Sequence, residues 1–330
     1  MAPANAPRAI PRLVAAGFFA CAAPDLDFVA SFAGPVEYIL HHRGVTHSLL
    51  LLPLWAVGVA WVLAKLLREP DGWRAFYAVS AVAIGLHIVC DVITSFGTMV
   101  LAPVSDWRAA IGTTFIIDLW FSGIIVAGLI ASAIAWRSRL PAIAALAVLA
   151  GYVGLQFVQR QHALEFARQY ADEHGLTSAR VDAQPRPVWP FNWTVFVSDD
   201  ERQRFAHINL VRREPRPYQP GDGFIARIDS PYLPLEQAIW VERSRYGELN
   251  QQPIRDAWES PALGFFRWFA AEPAFDGTTE GGNCVWFVDL RFATPGRDVM
   301  PFQYGACRDS PREPWRAYQR AGPTARTPLR

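Results

Sequence analysis

The sequence predicts an α+β protein, in which a polytopic transmembrane helical bundle of about five spans is followed by a soluble β-rich domain. Hydrophobic residues make up 52% of the 330 residues and charged residues only 18%, which is too apolar for an ordinary soluble enzyme of this size. The apolar character is uneven, because long hydrophobic stretches precede residue 158 and the rest is polar and rich in Pro and Arg. We therefore predict a transmembrane domain over residues 1–158 and an extracytoplasmic domain over residues 159–330.

The predicted spans follow from the length of the apolar stretches. A helix needs roughly 20 mostly apolar residues to cross a bilayer. Three stretches have that length, a fourth is slightly weaker, and the N-terminal one is short; in chain order they are 10–23, 49–67, 75–96, 114–136 and 140–158. The first stretch has an alternative interpretation as a signal peptide, since Arg8 and Arg12 precede Ala20-Cys21-Ala22, which resembles a cleavage region.

The distribution of Arg and Lys predicts the orientation of these spans. With five spans and a cytoplasmic N-terminus, only Arg43 and Arg108 lie in the short loops on the outer side. The basic residues on the cytoplasmic side are Arg8, Arg12, Lys65, Arg68, Arg74, Arg137 and Arg139. This asymmetry follows the positive-inside rule. We therefore predict a multi-pass protein of the bacterial inner membrane with a periplasmic C-terminal domain.

Asp and His residues occur at the ends of the apolar stretches. Ionisable groups at membrane depth are costly and usually face a partner, a cavity or a metal. In the predicted topology they all fall near the outer membrane face; they are Asp25, Asp27, His41, His42, His47, His87, Asp91 and Asp118. The topology was derived from Arg and Lys alone, so this convergence predicts one shared site.

The spacing of His87 and Asp91 indicates a metal site. Residues four apart lie on the same face of a helix, where an imidazole nitrogen and a carboxylate oxygen can converge on one divalent ion. Two alternatives remain open at this point. Asp91 could instead orient a ligating His, or the pair could only form hydrogen bonds between helices.

Two further segments contribute candidates, each with a plainer alternative. Asp25 and Asp27 follow a proline and can present two carboxylates from a turn, although Asp is common in turns that end helices. Three His residues lie within 41–47, which is otherwise typical of a solvated linker. His47 is expected in the first turn of the second span, near Thr46 and Ser48 as capping residues.

In this order, three motifs resemble a known family. They are Pro24-Asp25-Leu26-Asp27, His42-Arg43-Gly44-Val45-Thr46-His47-Ser48 and His87-x-x-x-Asp91-x-x-Thr94-Ser95-x-Gly97-Thr98. Over roughly residues 10–160 the chain is similar to the membrane-bound metal-dependent hydrolases, also described as LexA-binding, inner-membrane-associated hydrolases. Residues 189–193 and 288–292 also resemble longer members. Family members usually begin with Met-Asp-x-x-Thr-His, and this chain has Met1-Ala-Pro-Ala-Asn-Ala-Pro instead, so either the start is misassigned or one expected ligand is absent.

The resemblance implies an inner-membrane protein with a His/Asp metal site and hydrolytic activity; LexA binding is not carried over. The predicted ligands of a divalent ion are Asp25, Asp27, His42, His47, His87 and Asp91. The imidazole content favours zinc, with manganese or magnesium as other candidates. The expected chemistry is hydrolysis by a metal-activated water, with Asp25 or Asp27 as ligand or general base. Arg43 is expected to bind an anionic substrate group as a fork donor.

The expected partners follow from the location of the site. A site at the outer headgroup level is expected to have membrane lipid as its partner. Its expected substrate is a lipid or lipid-linked phosphoester. The alternative functions are a metal- or ion-binding membrane protein or transporter without hydrolytic activity, and a scaffold whose polar groups hold helices together. A net charge of +1 and the lack of a basic patch with interleaved aromatics give no indication of nucleic-acid binding, and the sequence identifies no protein partner.

The C-terminal part is predicted to contain an amphipathic helix over 159–175 and then an antiparallel β-rich domain. Short aromatic or β-branched runs separated by Pro, Gly and Asp predict strands at 193–197, 205–211, 224–228, 238–243, 284–292 and 303–308. Cys284 and Cys307 fall in two of these strands, and an oxidising periplasm would permit a disulfide between them. Two free buried thiols are the alternative. Cys21 and Cys90 lie in predicted spans, where a small buried apolar role is expected.

Overall fold

The computed structural model describes residues 6–69, 72–248, 251–297, 300–322 and 325–329. The chain divides into two compact units, Met1–Ile111 and Gly112–Arg330. The first five residues, where the resemblance expects a further ligand, lie outside the described part. The predicted domain boundary after residue 158 falls within one continuous helix, and it stays a prediction. Whether the C-terminal part is extracytoplasmic stays a prediction.

The N-terminal unit is built from helices that pack mainly on one central helix. Within its described residues the α-helices are α1 Ala6–Ala22, α2 Pro35–His41, α3 Leu52–Leu66 and α4 Trp73–Val92. Two 3₁₀ segments, Pro24–Phe32 and Val45–His47, connect α1, α2 and α3. Both α1 and α3 pack against α4, with small residues such as Ala16, Ala56 and Ala60 fully or almost fully buried between them. Small side chains allow the close approach of helix backbones that is typical of helices in membranes.

The C-terminal unit begins with two long apolar helices, α5 Leu119–Ile134 and α6 Leu140–Glu173, which pack against each other. The 34 residues of α6 span about 51 Å. The first part of α6 exposes large apolar side chains, whereas its last part buries Ala163, Leu164 and Ala167. These three residues form a core with strand residues of the first sheet. A single helix therefore connects an apolar, membrane-compatible segment to the β-rich part.

Two five-stranded sheets form the β-rich part. The first contains β1 Arg180–Pro185, β2 Asn192–Ser198, β3 Arg202–Asn209, β4 Leu233–Pro234 and β5 Trp240–Ser244. In it, β1, β2 and β3 pair antiparallel in sequence order, β5 pairs antiparallel with β3, and β4 pairs parallel with β3. The second, with all neighbours antiparallel, contains β6 Pro273–Thr279, β7 Cys284–Asp289, β8 Tyr304–Cys307, β9 Arg316–Arg320 and β10 Arg326–Pro328.

Three short helices accompany these strands, namely α7 Phe224–Asp229, α8 Gln252–Glu259 and α9 Gly264–Phe269. The β-rich character of the C-terminal part is therefore confirmed. The strand predicted at 224–228 is wrong, because these residues form α7. A short apolar run has the same appearance in a strand and in a buried helix turn, and here Ile228 and Asp229 are the buried residues of α7.

Two further predicted elements have different bounds. The strand predicted at 284–292 ends at Asp289, whose side chain accepts from the backbone N–H of Arg291 and starts a 3₁₀ turn. The helix predicted separately over 159–175 is the last part of α6. The sequence analysis also missed β1, β4, β6, β9 and β10.

The number of spans, predicted as about five, is not confirmed. Among the described residues, α4 and α6 are long and apolar enough to cross a membrane. The number rises to four if two bent pairs of helices are each one span, Pro11–Ala22 with Pro24–Phe32 and Pro35–His47 with Leu52–Leu66. At 16 residues, α5 is shorter than a full span because Asp118 caps it. Polar turn residues thus shorten helices inside the hydrophobic stretches.

The predicted disulfide between Cys284 and Cys307 is present. The two residues lie directly opposite each other on the neighbouring antiparallel strands β7 and β8, with Cα atoms 4.1 Å apart. Both are buried, together with Trp286, in a small cluster of the second sheet. Cys21 and Cys90 are free and exposed on the surface of the protein, not buried as expected.

Candidate metal centre

The first part of the site is the 3₁₀ segment Pro24–Phe32, which carries Asp25 and Asp27. Pro24 stands at its first position, because proline cannot continue the hydrogen bonding of α1 but is well suited to start a new helical turn. The side chain of Asp25 is 57% exposed, whereas that of Asp27 is buried. The two carboxylates therefore differ in access although they are two residues apart.

A tight turn after α2 brings the His residues to these carboxylates. Arg43 adopts a left-handed backbone conformation with φ of 59°. The next residue must be glycine, because a Cβ atom on Gly44 would lie 2.7 Å from the carbonyl oxygen of His41. The 3₁₀ turn Val45–His47 follows, so His47 stands before α3 and not in its first turn as predicted. Ser48 instead accepts from two backbone N–H groups just before α3 begins.

The third contribution comes from the last turns of α4. His87 and Asp91 lie one turn apart on the same face, as predicted from their spacing. The hydroxyl of Thr94, just beyond the end of the helix, donates to the carbonyl oxygen of Asp91 at 2.7 Å. The helix end is thereby closed, and both functional side chains project to the same side.

Four donor atoms from these segments converge. The Nε2 atoms of His47 and His87 are 3.1 Å apart. Asp91 Oδ2 lies 3.1 Å from His47 Nε2 and 3.5 Å from His87 Nε2. Asp25 Oδ1 lies 3.6 Å and 3.5 Å from the same two nitrogens. We call Asp25, His47, His87 and Asp91 the four-donor cluster, and its donor atoms all lie within 4.8 Å of one another.

These separations match the dimensions of a tetrahedral metal site. Ligand bonds of about 2.1 Å in a tetrahedron give donor–donor edges of about 3.4 Å, and the five measured edges range from 3.1 to 3.6 Å. Asp91 Oδ2 is buried and accepts no well-directed hydrogen bond from the described residues, although His47 Nε2 lies close to it. The residues present therefore fit a divalent ion with two imidazole and two carboxylate ligands.

Asp27 and His42, also predicted as ligands, form a second group with Asp25. His42 Nδ1 lies 2.8 Å from Asp27 Oδ1. The other oxygen of Asp27 accepts from the backbone N–H of Arg43 and the hydroxyl of Thr46, both at 2.9 Å. Their ligand role stays a prediction, since both carboxylate oxygens of Asp27 already have partners within the chain.

Asp27 also holds one member of the four-donor cluster. The Nδ1 atom of His47 lies 3.3 Å from Asp27 Oδ2 and 2.9 Å from the hydroxyl of Thr46. A carboxylate on the far nitrogen of a histidine orients the ring and fixes its tautomer, which leaves the other nitrogen free to ligate. Asp27 thus lies behind His47 in a supporting position.

Arg43 was predicted to bind an anionic substrate group, and that role stays a prediction. In the structure its guanidinium is 7% exposed and lies 2.9 Å from Asp91 Oδ1. It also donates to the hydroxyl of Thr94 at 2.8 Å and contacts the ring of Phe96. This geometry directs the fork of Arg43 at Asp91, where it neutralises one oxygen and leaves Oδ2 facing the cluster.

Two other candidate residues have local partners elsewhere. His41 is exposed and pairs with Glu37 at 3.1 Å. Asp118, in the C-terminal unit, accepts from the backbone N–H groups of Trp120 and Phe121 and from the hydroxyl of Tyr152. The structure therefore gives His41 and Asp118 roles that need no metal.

Sequence reasoning missed the supporting roles of Thr46 and Thr94. Both lie inside the motifs quoted above, but neither titrates nor is a common ligand, so their types carried no signal for metal chemistry. Their position next to candidate ligands was the feature that could have indicated these roles, because polar residues close to a metal ligand often form the hydrogen bonds that orient it.

The comparisons with known proteins concern the part of the chain that carries this site. Residues 1–163 match the model of the YdjM inner membrane protein family. The uncharacterized protein YfhP of Bacillus subtilis (strain 168) is 28% identical over 137 residues, which are 42% of this chain. The match spans 41% of the length of that protein. No solved structure matches the chain. The N-terminal part, with the four-donor cluster and the candidate membrane helices, is thus similar to a family of inner membrane proteins, the YdjM family.

Proposed function

We propose that this protein is an inner-membrane metal-dependent hydrolase whose divalent ion is held by the four-donor cluster. One observation carries the proposal: four donor atoms from three separate segments converge with the edge lengths of a tetrahedral site. The two imidazoles favour zinc, manganese is a second choice, and magnesium is disfavoured because it prefers all-oxygen ligands. The match to an inner membrane protein family supports the location.

A purely structural role explains this cluster less well. Only one hydrogen can lie between the facing Nε2 atoms of His47 and His87, yet two carboxylate oxygens also border the same small space. Buried polar atoms are normally paired, and Asp91 Oδ2 lacks a well-directed partner among the described residues. A cation at the centre would satisfy all four atoms together.

The surrounding residues would hold the donors in place. Asp27 and Thr46 fix the ring of His47 from its Nδ1 side. Arg43 fixes Asp91 through Oδ1, and Thr94 in turn accepts from Arg43. Partners of this kind usually change metal affinity by 10- to 100-fold when they are removed. Asp27 and Arg43 are thereby proposed as positioning residues.

The proposed chemistry is hydrolysis at the membrane surface. A bound divalent ion lowers the pKa of a water molecule and polarises the oxygen of the bond to be cleaved. Asp25 is the most exposed of the four donors and stands at the open side of the cluster. A catalytic ion needs one position for water, so Asp25 is the ligand best situated to leave the ion, make room for that water and accept its proton. A lipid or lipid-linked phosphoester is the proposed substrate, on the basis of location alone.

The metal is tested by elemental analysis of the full-length protein purified in detergent. We expect about one equivalent of zinc or manganese in the wild type and none in His87→Ala. His41→Ala is the matched control, because His41 is exposed and pairs with Glu37 away from the four-donor cluster. Equal metal content in the two variants would remove His87 as a ligand and with it the four-donor site.

Hydrolysis is tested separately with bis-p-nitrophenyl phosphate and with phospholipid vesicles as probes. The proposal expects turnover by the metal-loaded wild type and by His41→Ala, and loss of turnover in His87→Ala. A protein that binds one equivalent of metal but cleaves neither probe would instead support the alternative of a metal- or ion-binding membrane protein or transporter.

A further inference from the structure

A second feature lies in the C-terminal unit, at the end of the apolar helix pair α5 and α6. Asp118 caps α5 and accepts a hydrogen bond of 2.8 Å from the hydroxyl of Tyr152 on α6. Trp120 follows in the first turn of α5 and is 46% exposed. Trp and Tyr are enriched where membrane helices meet the headgroup region. This end of the helix pair therefore has the character of a membrane–water boundary.

The β-rich part contacts this same end of the helix pair through Trp120. The indole Nε1 of Trp120 donates to the carbonyl oxygen of Val188 at 3.1 Å, and its ring lies 5.7 Å from that of Trp189. Val188 has a φ of 79°, which is rare for a β-branched residue and costs conformational energy. The hydrogen bond from Trp120 and the contact between the Trp120 and Trp189 rings thus stabilise the strained backbone at Val188.

Trp189 also lines a cleft of about 500 Å³. Its lining combines apolar side chains, arginines and the carboxylate of Glu214; the lining residues are Trp189, Phe191, Asn209, Val211, Arg212, Arg213, Glu214, Pro215 and Arg216. The guanidinium of Arg212 is engaged by Asp229 at 2.6 Å. Arg213 and Arg216 are exposed, and within the described residues neither has an ion-pair partner. Two guanidinium groups therefore line an open cleft, and another of its lining residues, Trp189, contacts Trp120 at the end of α5.

We propose that this cleft binds the phosphate group of a membrane phospholipid. Guanidinium groups bind phosphate through paired, charge-assisted hydrogen bonds, which suits Arg213 and Arg216. Trp189 and Val211, 38% and 57% exposed, supply apolar surface for the glycerol and upper acyl region. The contact between Trp189, which lines the cleft, and Trp120 at the end of α5 favours a lipid headgroup over a soluble ligand. The site is independent of the metal centre.

The test uses the full-length protein in detergent, titrated with dioctanoyl phosphatidylglycerol and observed by native mass spectrometry. We expect one bound lipid in the wild type and affinity lower by about tenfold or more in Arg213→Ala/Arg216→Ala, since both charge-assisted contacts are lost. Arg312→Ala, which removes an exposed Arg elsewhere in the β-rich part, is the matched control and keeps wild-type affinity. Equal affinity in the double variant and the control would overturn the proposal.

Two further measurements identify the ligand and guard against misfolding. Inorganic phosphate is expected to compete only weakly, because it lacks the apolar part that contacts Trp189; competition at equal concentration would mean a free-phosphate site and overturn the lipid assignment. The variant Arg213→Lys/Arg216→Lys keeps both charges without the fork. It is expected to bind with intermediate affinity, and wild-type affinity there would contradict the proposed recognition by guanidinium groups.

Discussion

Two buried aspartates, Asp91 in the N-terminal unit and Asp229 in the C-terminal unit, show opposite ways of placing a carboxylate inside this protein. Both oxygens of Asp229 have donors: Asn192 Nδ2 at 2.8 Å and Arg212 Nη2 at 2.6 Å. Arg43 pairs with Oδ1 of Asp91, whereas Oδ2 faces two imidazole nitrogens and accepts no well-directed hydrogen bond from the residues that the structure describes. A buried carboxylate with donors on both oxygens is typical of a structural role. A buried carboxylate with one oxygen left among other metal donors indicates a ligand site.

The surroundings of the two carboxylates support the same distinction. Arg212 also donates to the carbonyl oxygen of Tyr232, and Asn209 donates to Asn192, so the cluster around Asp229 is a closed hydrogen-bond network. The four-donor cluster is open at Asp25 and contains two imidazoles that face each other. The first arrangement stabilises the fold as it stands, whereas the second would be completed by a cation.

The largest effect is expected from Asp229→Ala. Removing one partner of a buried ion pair leaves Arg212 buried and unpaired, which costs about 3–5 kcal/mol in the free energy of unfolding. The measurement is the thermal unfolding midpoint of the purified protein. Asp256→Ala, which removes an exposed carboxylate bonded to Gln252, is the control and is expected to change stability by less than about 0.5 kcal/mol. In metal-free protein, His87→Ala should lower the unfolding midpoint much less than Asp229→Ala does. Equal losses of stability would contradict the distinction between a structural cluster and a ligand site.

The disulfide gives the next effect. Replacing Cys284 and Cys307 by Ser together is expected to lower stability by roughly 3 kcal/mol, because the bridge closes a loop of about two dozen residues in the unfolded chain. Replacing Cys21 and Cys90, which are free, is the control. Thiol labelling of denatured, unreduced wild-type protein should find two reactive cysteines, and finding four would show that the bridge does not form.

The buried carboxyl group of Glu272 is expected to make the stability of the protein depend on pH. It accepts from Ser198 and Arg180, and its burial raises the pKa of its carboxyl group from 4.5 to about 7. Between these values the folded state binds a proton that the unfolded state has released, so stability falls as pH rises from about 4.5 to 7. Each pKa unit is worth about 1.4 kcal/mol, so the loss is at most about 3.5 kcal/mol over the whole range and smaller between pH 5 and pH 7.5.

The pH effect is measured as the thermal unfolding midpoint at pH 5 and pH 7.5. Glu272→Gln resembles the protonated form and is expected to lose less stability than the wild type between these two values. Glu259→Gln, at an exposed position, should follow the wild type. If the unfolding midpoint of Glu272→Gln changes between the two pH values as much as that of the wild type, the pH dependence comes from another group.

The smallest effect is expected from Asp27→Asn in the N-terminal unit. It weakens the hold on His47 without removing a member of the four-donor cluster, so metal affinity should fall by about 10- to 100-fold. Competition with a chelator measures it, and Glu37→Gln, next to His41, is the control. Unchanged affinity would contradict the supporting role. Complete loss of the metal would instead favour the direct ligand role predicted from the sequence.

How far the sequence predicts the site depends on how local each feature is. The one-turn spacing of His87 and Asp91 is a property of any α-helix, so their common face was predictable. The pairing of Cys284 with Cys307 was also predictable, because each lies in a recognisable strand. The direction of Arg43 was not, since it depends on a left-handed backbone at that residue and on the turn at Gly44.

The apolar, membrane-compatible N-terminal part, the β-rich C-terminal part and the Asp and His residues available for a metal were all predictable from composition and residue spacing. Composition and spacing carry these properties because each depends on neighbouring residues alone. Only the tertiary structure separated Asp25, His47, His87 and Asp91 from Asp27 and His42, and only it joined the last predicted span and the amphipathic helix into α6. These outcomes depend on where distant segments meet, and distances of 3–4 Å between such segments are set by the packing of the whole unit.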